Sequence, residues 1–240
     1  GFDWIWLLSV WQMGAAAQRI SRSRADWRVD FQRTLPDLRD ADIGGSGFAI
    51  TAYTVHADLG GDAALARLRE RLRLRGLKLM LDFVPNHVAP DHPWVDAHPE
   101  FFDDASPAEI YDRYGAAVFS VALRVVGDRD HAQDVAQEVF LALWRAPQNY
   151  VRLQPKQGPR VLAHGRDPYF DGWPDTLQLN YGKAQLQQAM ITELQRIAGQ
   201  CDGLRCDMAM LLLPEVFQRT WGIAMQPFWA KAIAAVRQSQ

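Results

Sequence analysis

Residues 77–87 read LKLMLDFVPNH, a short apolar run that ends in a proline, an amide and an imidazole. A continuous apolar run of this length is typical of a strand buried on both faces of a parallel sheet. The preceding residues 62–76 place leucines at helical spacing and end at Gly76, which predicts an amphipathic helix. A helix followed by a buried strand is the repeating unit of α/β proteins.

The same order occurs on both sides of this stretch. Residues 4–10 form another apolar run typical of a strand buried on both faces, and residues 183–198 predict a helix that leads into a strand near 203–210. Between the first two runs, residues 12–47 are polar and predict a long loop. Strands that alternate with helices predict parallel βα units, and a barrel and a doubly wound sheet fit this pattern equally well. In both folds the site lies at the carboxyl ends of the strands.

Residues 107–145 interrupt this alternation. Apolar residues recur at helical spacing as far as Val125, after which Gly127 and Asp128 predict a helix stop and the N-cap of a second helix. The predicted apolar face of the second helix comprises Ala132, Val135, Val139, Phe140 and Leu143. We therefore expect a helical hairpin that packs on another surface, because two helices bury too little apolar area to stand alone.

Composition argues against several classes of function. The net charge is -2 and the basic residues are scattered, so nucleic acid is not an expected partner. No apolar run approaches the roughly 20 residues that cross a bilayer, so no membrane partner is expected. Cys201 and Cys206 lack a paired metal-binding spacing and are expected to be reduced thiols in the core. We expect a cytoplasmic bacterial protein.

Candidate catalytic groups follow two of the predicted strands. Residues 82–87 contain a carboxylate, an amide and an imidazole. Residues 203–207, GLRCD, place Arg205 and Asp207 two positions apart, so that both side chains point to the same face of a strand. An Arg beside an Asp keeps the carboxylate ionised, as a nucleophile requires at neutral pH. Taken alone, such a pair is more often a structural ion pair.

Together, the two stretches resemble signature regions of the α-amylase family of glycoside hydrolases, family 13. Further stretches that resemble this family are residues 1–12, 47–53, 91–94, 171–175 and 178–181. The resemblance implies an α/β fold containing part of a (β/α)₈ TIM barrel, strands two to four with their helices. It also implies an excursion from the barrel, similar to the domain B of that family, that contains the helical hairpin.

The implied domain boundaries follow from this resemblance. Residues 1–87 would contain barrel strands two and three, and residues 183–240 would contain helix three, strand four and the following helices. The excursion would occupy residues 88–182, with the hairpin at 107–145 inside it.

The resemblance also assigns roles to individual residues. Asp207 would be the nucleophile that forms a covalent glycosyl-enzyme with an α-linked glucoside, and Arg205 would orient it. The implied substrate-binding residues are His87, Asp82, Phe48 and Tyr53. Asn86 would be a ligand of a possible structural calcium, and no other cofactor is required.

One expected group has no counterpart in the sequence. Retaining glycosidases need a second carboxyl about 5 to 5.5 Å from the nucleophile, and in this family it is a glutamate on strand five. After Asp207 the only glutamate is Glu215, which comes too soon after strand four. We therefore expect a fragment of a retaining α-glycosidase or transglycosidase that binds an oligosaccharide or glucoside and is inactive as this chain stands.

The helical segment has a second resemblance. Residues 111–114, 122–128 and 134–144, which read YDRY, ALRVVGD and DVAQEVFLALW, resemble the first part of region 2 of an extracytoplasmic-function sigma factor. This resemblance implies that Asp134, Gln137 and Glu138 contact the clamp of RNA polymerase. The alternative functions are therefore a sigma-like module at 107–145 that binds RNA polymerase, or a chimera without function. An ordinary amphipathic hairpin also fits the pattern.

Overall fold

The computed structural model describes residues 1–103, 107–144 and 149–239, and the side chains of these residues except 107–113 and 141–144. The strands, in chain order, are β1 (Trp4–Leu7), β2 (Trp11–Met13), β3 (Ile50–Val55), β4 (Lys78–Phe83), β5 (His87–Val88), β6 (Tyr150–Leu153), β7 (Arg160–Ala163), β8 (Leu177–Gln178) and β9 (Gly203–Cys206). The α-helices are α1 (Ala15–Ser23), α2 (Ala25–Thr34), α3 (Gly61–Arg73), α4 (Trp94–Ala97), α5 (Pro107–Val126), α6 (Arg129–Trp144), α7 (Ala184–Ala198), α8 (Pro214–Trp221) and α9 (Trp229–Ser239).

A three-stranded parallel sheet in the order β1, β4, β9 forms the centre of the molecule. Leu79, Leu81 and Phe83 of the central strand β4 are fully buried. Helices α3 and α7 add Leu65 and Leu194 to the same core, which stabilises the sheet by removing apolar surface from water. The predicted α/β fold with parallel strands and helices is confirmed.

Two strands differ from their predicted form. The prediction that residues 4–10 are buried on both faces is wrong, because β1 ends at Leu7 and leaves Trp4 and Trp6 40% and 48% exposed. In the described part of the sheet β1 pairs with β4 alone, so it lies at an edge. Strand β9 is also shorter than expected: it ends at Cys206, and Met208 adopts a left-handed conformation with φ of 47° before a 3₁₀ turn.

The predicted long loop at residues 12–47 contains β2 and the two helices α1 and α2, so this prediction is wrong. Helix α1 buries Ala16 and Ala17, whereas α2 buries none of its residues. The polar composition that suggested a loop belongs to solvent-exposed helix surfaces, where charged side chains form ion pairs such as Arg28 with Asp40 at 2.7 Å.

Helices α5 and α6 pack against each other at the place where the sequence predicts a hairpin. Gly127, with φ of 73°, follows α5, and the Asp128 carboxylate accepts a 2.9 Å hydrogen bond from the backbone N–H of His131, as a capping residue does. The Tyr114 hydroxyl donates a 2.8 Å hydrogen bond to the Trp221 carbonyl and so attaches α5 to the end of α8.

The apolar seam of the hairpin differs from the predicted one. Ala132 and Ala136 of α6 are buried, whereas Val135 and Val139 are 41% and 38% exposed. Alanine lets two helix backbones approach closely, and this places the larger valines outside the seam. The side chain of Leu143, a predicted seam residue, is not described. Arg145, the predicted end of the hairpin, also lies outside the described residues.

None of the helices in the described ranges combines the length and the apolar character that a membrane span requires.

Candidate active site

The carboxyl ends of β4 and β9 bring together two carboxylates and a guanidinium. The register of the sheet pairs Asp82 with Arg205, and Asp207 follows directly after β9. Arg205 Nη1 lies 2.6 Å from Asp207 Oδ1 and 3.5 Å from Asp82 Oδ1. One cation therefore bridges two acids that are far apart in sequence, and it holds the Asp207 side chain in place.

Asp82 is buried, and its carboxylate is occupied by donors from the protein. Trp6 Nε1 donates to Oδ1 at 3.1 Å, and the backbone N–H of Ser9 donates to Oδ2 at 2.7 Å. Both oxygens thus have partners within the chain, and Asp82 does not line the cavity described below. This corrects the expected contact between Asp82 and the substrate, because the side chain anchors β1 and Arg205 instead.

The ionisation of Asp207 differs from the simple expectation of an Arg–Asp pair. Burial raises the pKa of Asp207, and the negative charge of Asp82 raises it further. Arg205 favours the charged carboxylate and lowers the pKa, but by less than burial raises it. The pKa of Asp207 is therefore raised above its ordinary value. A raised pKa increases the basicity of the carboxylate while Arg205 keeps the side chain oriented.

His87 lies beside Asp207 in the same cavity. Strand β5 places it opposite Gln178 of β8, and its ring centroid is 5.2 Å from that of Trp173. Burial lowers the pKa of His87 to about 4. The imidazole is thus neutral at neutral pH. It is hydrogen-bonded to the Phe48 backbone, and its Nδ1 lies 3.4 Å from Asn86 Nδ2.

A single cavity of about 780 Å³ contains three of the predicted site residues: Asp207, His87 and Phe48. Arg205 is not among the lining residues, and its guanidinium carbon lies 5.4 Å from the ring centroid of Trp6 and 5.8 Å from that of Phe48. Packing between two aromatic rings fixes the guanidinium and leaves its Nη1 directed at the carboxylates. The structure therefore joins the two stretches that the sequence analysis singled out.

Much of the cavity comes from residues that the sequence analysis did not identify as site residues. They are Trp27, Phe31, Leu35, Leu38 and Ile43 on the apolar side, and Asp42, Trp173, Asp175 and Thr176 among the others. The first set was missed because its segment was interpreted as a loop. Apolar residues at positions 27, 31 and 35 recur every fourth residue, and this spacing could have revealed a helix face. Asp175 is buried, and burial raises its pKa.

Tyr53 does not lie in the cavity. Its hydroxyl donates to the Val84 carbonyl at 2.9 Å and accepts from the Val84 N–H at 3.0 Å, and its ring packs edge-on against Trp11. Both hydrogen-bonding capacities of the hydroxyl are used inside the core. The expected contact between Tyr53 and the substrate is corrected accordingly.

Asn86 was expected to be a calcium ligand, and its surroundings do not fit an ion. Its side-chain amide exchanges two 3.2 Å hydrogen bonds with the Gln178 amide: Asn86 Nδ2 donates to Gln178 Oε1, and Gln178 Nε2 donates to Asn86 Oδ1. The oxygen that would bind calcium is thus already an acceptor. Among the described residues, no group of three or more His, Cys, Asp or Glu side chains could hold a metal ion.

The predicted polymerase-contacting residues Asp134, Gln137 and Glu138 are all exposed on α6. None of the three lines the cavity. The hairpin therefore carries its polar groups on a surface separate from the candidate active site.

Sequence comparisons give two different similarities. The profile of Sigma-70 region 2 matches residues 110–156, a range that runs past the predicted end of the hairpin into β6. An α-1,4-glucan:maltose-1-phosphate maltosyltransferase of Cereibacter sphaeroides is 41% identical over 64 residues, which is 25% of this chain and 9% of that protein. A putative maltooligosyl trehalose synthase of Mycobacterium tuberculosis is 40% identical over 77 residues, and the match covers 25% of this chain and 10% of that protein.

Solved structures show where the fold is shared. An α-amylase from Lactobacillus plantarum is 22% identical and superposes with a TM-score of 0.54 over 99% of this chain and 35% of its own. The enzyme MutB, solved as an inactive double mutant with isomaltulose, gives a TM-score of 0.55 at 16% identity and is covered to 36%. The chain thus spans about a tenth of these curated relatives and about a third of these solved chains. It has an α/β fold similar to part of the catalytic barrel of the α-amylase family, glycoside hydrolase family 13, and it contains a segment that matches Sigma-70 region 2.

Proposed function

We propose that the cavity binds the sugar of an α-linked glucoside or oligosaccharide and that Asp207 is the nucleophile of a retaining glycosyl transfer. One observation carries the proposal: Asp207, His87 and Phe48 line one cavity, with the Arg205 guanidinium 2.6 Å from the Asp207 carboxylate. A site at the carboxyl ends of parallel strands is where α/β folds place their chemistry.

The proposed step forms one bond and breaks one. An Asp207 oxygen bonds to the anomeric carbon, the bond from that carbon to the leaving oxygen breaks, and the leaving oxygen takes a proton from a second carboxyl. Arg205 orients Asp207 through their short contact and does not touch the sugar. His87 binds a sugar hydroxyl, and Phe48 forms an apolar wall beside it.

The substrate class is supported by the names of the relatives, which act on maltose-1-phosphate and α-1,4-glucan or form maltooligosyl trehalose. Turnover of such a glucan is a property we propose for a longer protein, since this chain spans only a small share of each relative. The carboxyls that line the described cavity belong to Asp42, Asp175 and Asp207. For the chain as it stands we propose glycosyl capture without turnover of unactivated glucosides.

An activated sugar tests the nucleophile without a proton donor. With 5-fluoro-α-D-glucosyl fluoride, Asp207 attacks the anomeric carbon, the carbon–fluorine bond breaks and fluoride leaves with the electron pair. We expect intact-mass analysis to show one added fluoroglucosyl group, and peptide mapping to place it on Asp207. Asp207→Asn should abolish the adduct, whereas Asp171→Asn, an exposed carboxylate outside the cavity, should leave it unchanged. A folded chain without adduct, or with the adduct on another residue, would contradict the assignment.

A second candidate function rests on the match to Sigma-70 region 2. We propose that α6 binds the clamp of RNA polymerase through Asp134, Gln137 and Glu138, which are exposed together on this helix. Pull-down with an isolated clamp fragment should retain the chain, and Glu138→Lys should weaken retention. Asp130→Lys, a charge reversal at another exposed position of α6, should not. Equal retention of both variants would argue against this function.

A further inference from the structure

The apolar side of the cavity indicates which glucosides fit it. We propose that the site takes an α-glucoside whose group on the anomeric oxygen is apolar, with an aromatic ring as the best occupant. The inference rests on the proposed function, because it assumes that the sugar lies against Asp207 and His87. The feature that carries it is the apolar surface formed by Trp27 and Phe31 of α2 and by Leu35 directly after the helix, called here the α2 wall.

The α2 wall is apolar surface outside the apolar core, and the Arg24 guanidinium carbon lies 5.1 Å from the Trp27 ring centroid. Helix α2 buries none of its residues, and none of them belongs to the apolar core cluster. Trp27 and Phe31 nevertheless share one side of α2, because residues four apart lie on the same face of a helix. Leu35 directly follows the helix, and all three residues line the cavity. An apolar patch of this kind, beside polar groups in a cleft, is typical of a ligand-binding surface.

The remaining lining divides the cavity chemically. Asp207, His87 and Asp175 provide hydrogen-bonding groups for a sugar. The α2 wall offers a single side-chain donor, the Trp27 indole N–H, and Leu38 and Ile43 extend its apolar surface. A second glucose unit against this wall would leave hydroxyls without partners, which is unfavourable, whereas an aromatic or alkyl group loses nothing there.

Polar residues near the wall are already engaged within the chain. The Thr34 hydroxyl donates to the Asp30 carbonyl at 3.2 Å, and the Asp42 carboxylate accepts from the Arg39 backbone N–H at 2.8 Å. These contacts reduce what Thr34 and Asp42 can offer to a sugar. The volume of about 780 Å³ accommodates a glucose with an attached ring.

Equilibrium binding to the whole chain tests the inference. Isothermal titration calorimetry would compare 4-nitrophenyl α-D-glucopyranoside, methyl α-D-glucopyranoside and maltose. We expect the aryl glucoside to bind about tenfold more tightly than the other two, since an aromatic ring adds apolar contact without requiring hydrogen bonds. Trp27→Ala should remove this preference, because it weakens binding of the aryl glucoside more than binding of the methyl glucoside.

Phe170→Ala is the matched control, because this phenylalanine is 74% exposed and lies outside the cavity. It should bind all three ligands as the parent chain does. Circular dichroism of each variant would show that the fold is kept. Maltose binding as tightly as the aryl glucoside, or Trp27→Ala weakening all three equally, would overturn the inference and leave the proposed function standing. A failure of all three glucosides to bind the folded chain would overturn both.

Discussion

The rim at the carboxyl ends of β4 and β9 and the hairpin of α5 and α6 are stabilised in opposite ways. At the rim, a buried carboxylate, a guanidinium and a backbone N–H are held by specific hydrogen bonds. In the hairpin, a narrow seam of alanines makes the contact and several valines remain exposed, Val125 at 80%.

At the rim, the residue types are therefore constrained by the hydrogen bonds that they form. In the hairpin, they are constrained by the space between the two helices. Removing one member of a buried polar network leaves its partners unpaired, so the penalty is large. Replacing an exposed valine changes little, but enlarging a seam alanine separates two helices.

The largest effect is expected at Asp82. Asp82→Ala should lower the free energy of unfolding by about 4 kcal/mol, because it leaves the Trp6 indole N–H and the Ser9 backbone N–H without an acceptor and removes one of the two carboxylates that Arg205 bridges. Urea denaturation followed by circular dichroism measures this change. Asp134→Ala, at an exposed position of α6, should change the same quantity by less than about 0.5 kcal/mol. Similar losses in the two variants would remove the distinction between rim and hairpin.

Acid should weaken the rim through His87, whose pKa falls from 6.5 to about 4 on burial. The unfolded chain takes up this proton at a higher pH than the folded chain does. His87 therefore contributes its full stability above pH 6.5 and loses it as the pH falls towards 4, in total about 3 kcal/mol. Burial also lowers the pKa of His92 to about 4, so His92 likewise lowers the free energy of unfolding as the pH falls. The raised pKa values of Asp207 and Asp175 have the opposite effect on that free energy.

Urea titrations at several pH values would isolate this contribution. His87→Gln should flatten the decline of the free energy of unfolding between pH 6.5 and 4. An unchanged profile in His87→Gln would show that His87 titrates normally.

The smallest of the three effects is expected in the hairpin seam. Ala132 is fully buried between α5 and α6, so Ala132→Leu should lower the free energy of unfolding by about 2 kcal/mol through overpacking. Val125→Ser, at an exposed position, should stay within about 0.5 kcal/mol of the parent. Thermal unfolding of both variants provides the comparison, and an equal change in each would contradict the alanine seam.

Periodicity was sufficient for the elements whose apolar residues face a core. Helices α3 and α7 and strand β4 lie where the sequence predicts them, because their buried faces impose the pattern. Helix α2 was missed, since it has no buried residue and its apolar positions face a cavity. Strand β1 was wrongly predicted to be buried on both faces. Its position at the edge of the sheet depends on which strands pair with it, and a local stretch of sequence does not determine that pairing.

The site was predictable only in part. Asp207, Arg205 and His87 occur in short motifs, so sequence alone indicated that they belong together. The structural roles of Asp82 and Tyr53 depend on partners such as Ser9 and Val84, which are distant in sequence and were not foreseeable. The apolar side of the cavity likewise required the three-dimensional position of α2.

The order of strands in the parallel sheet has a consequence for how the chain folds. Asp82 meets Trp6 across 76 residues and Arg205 across 123, whereas α5 and α6 meet across a turn of a few residues. Closing such long loops is slow relative to forming a local helix pair. The hairpin should therefore acquire protection from hydrogen exchange early in refolding, and the chemical groups should assemble in the last phase.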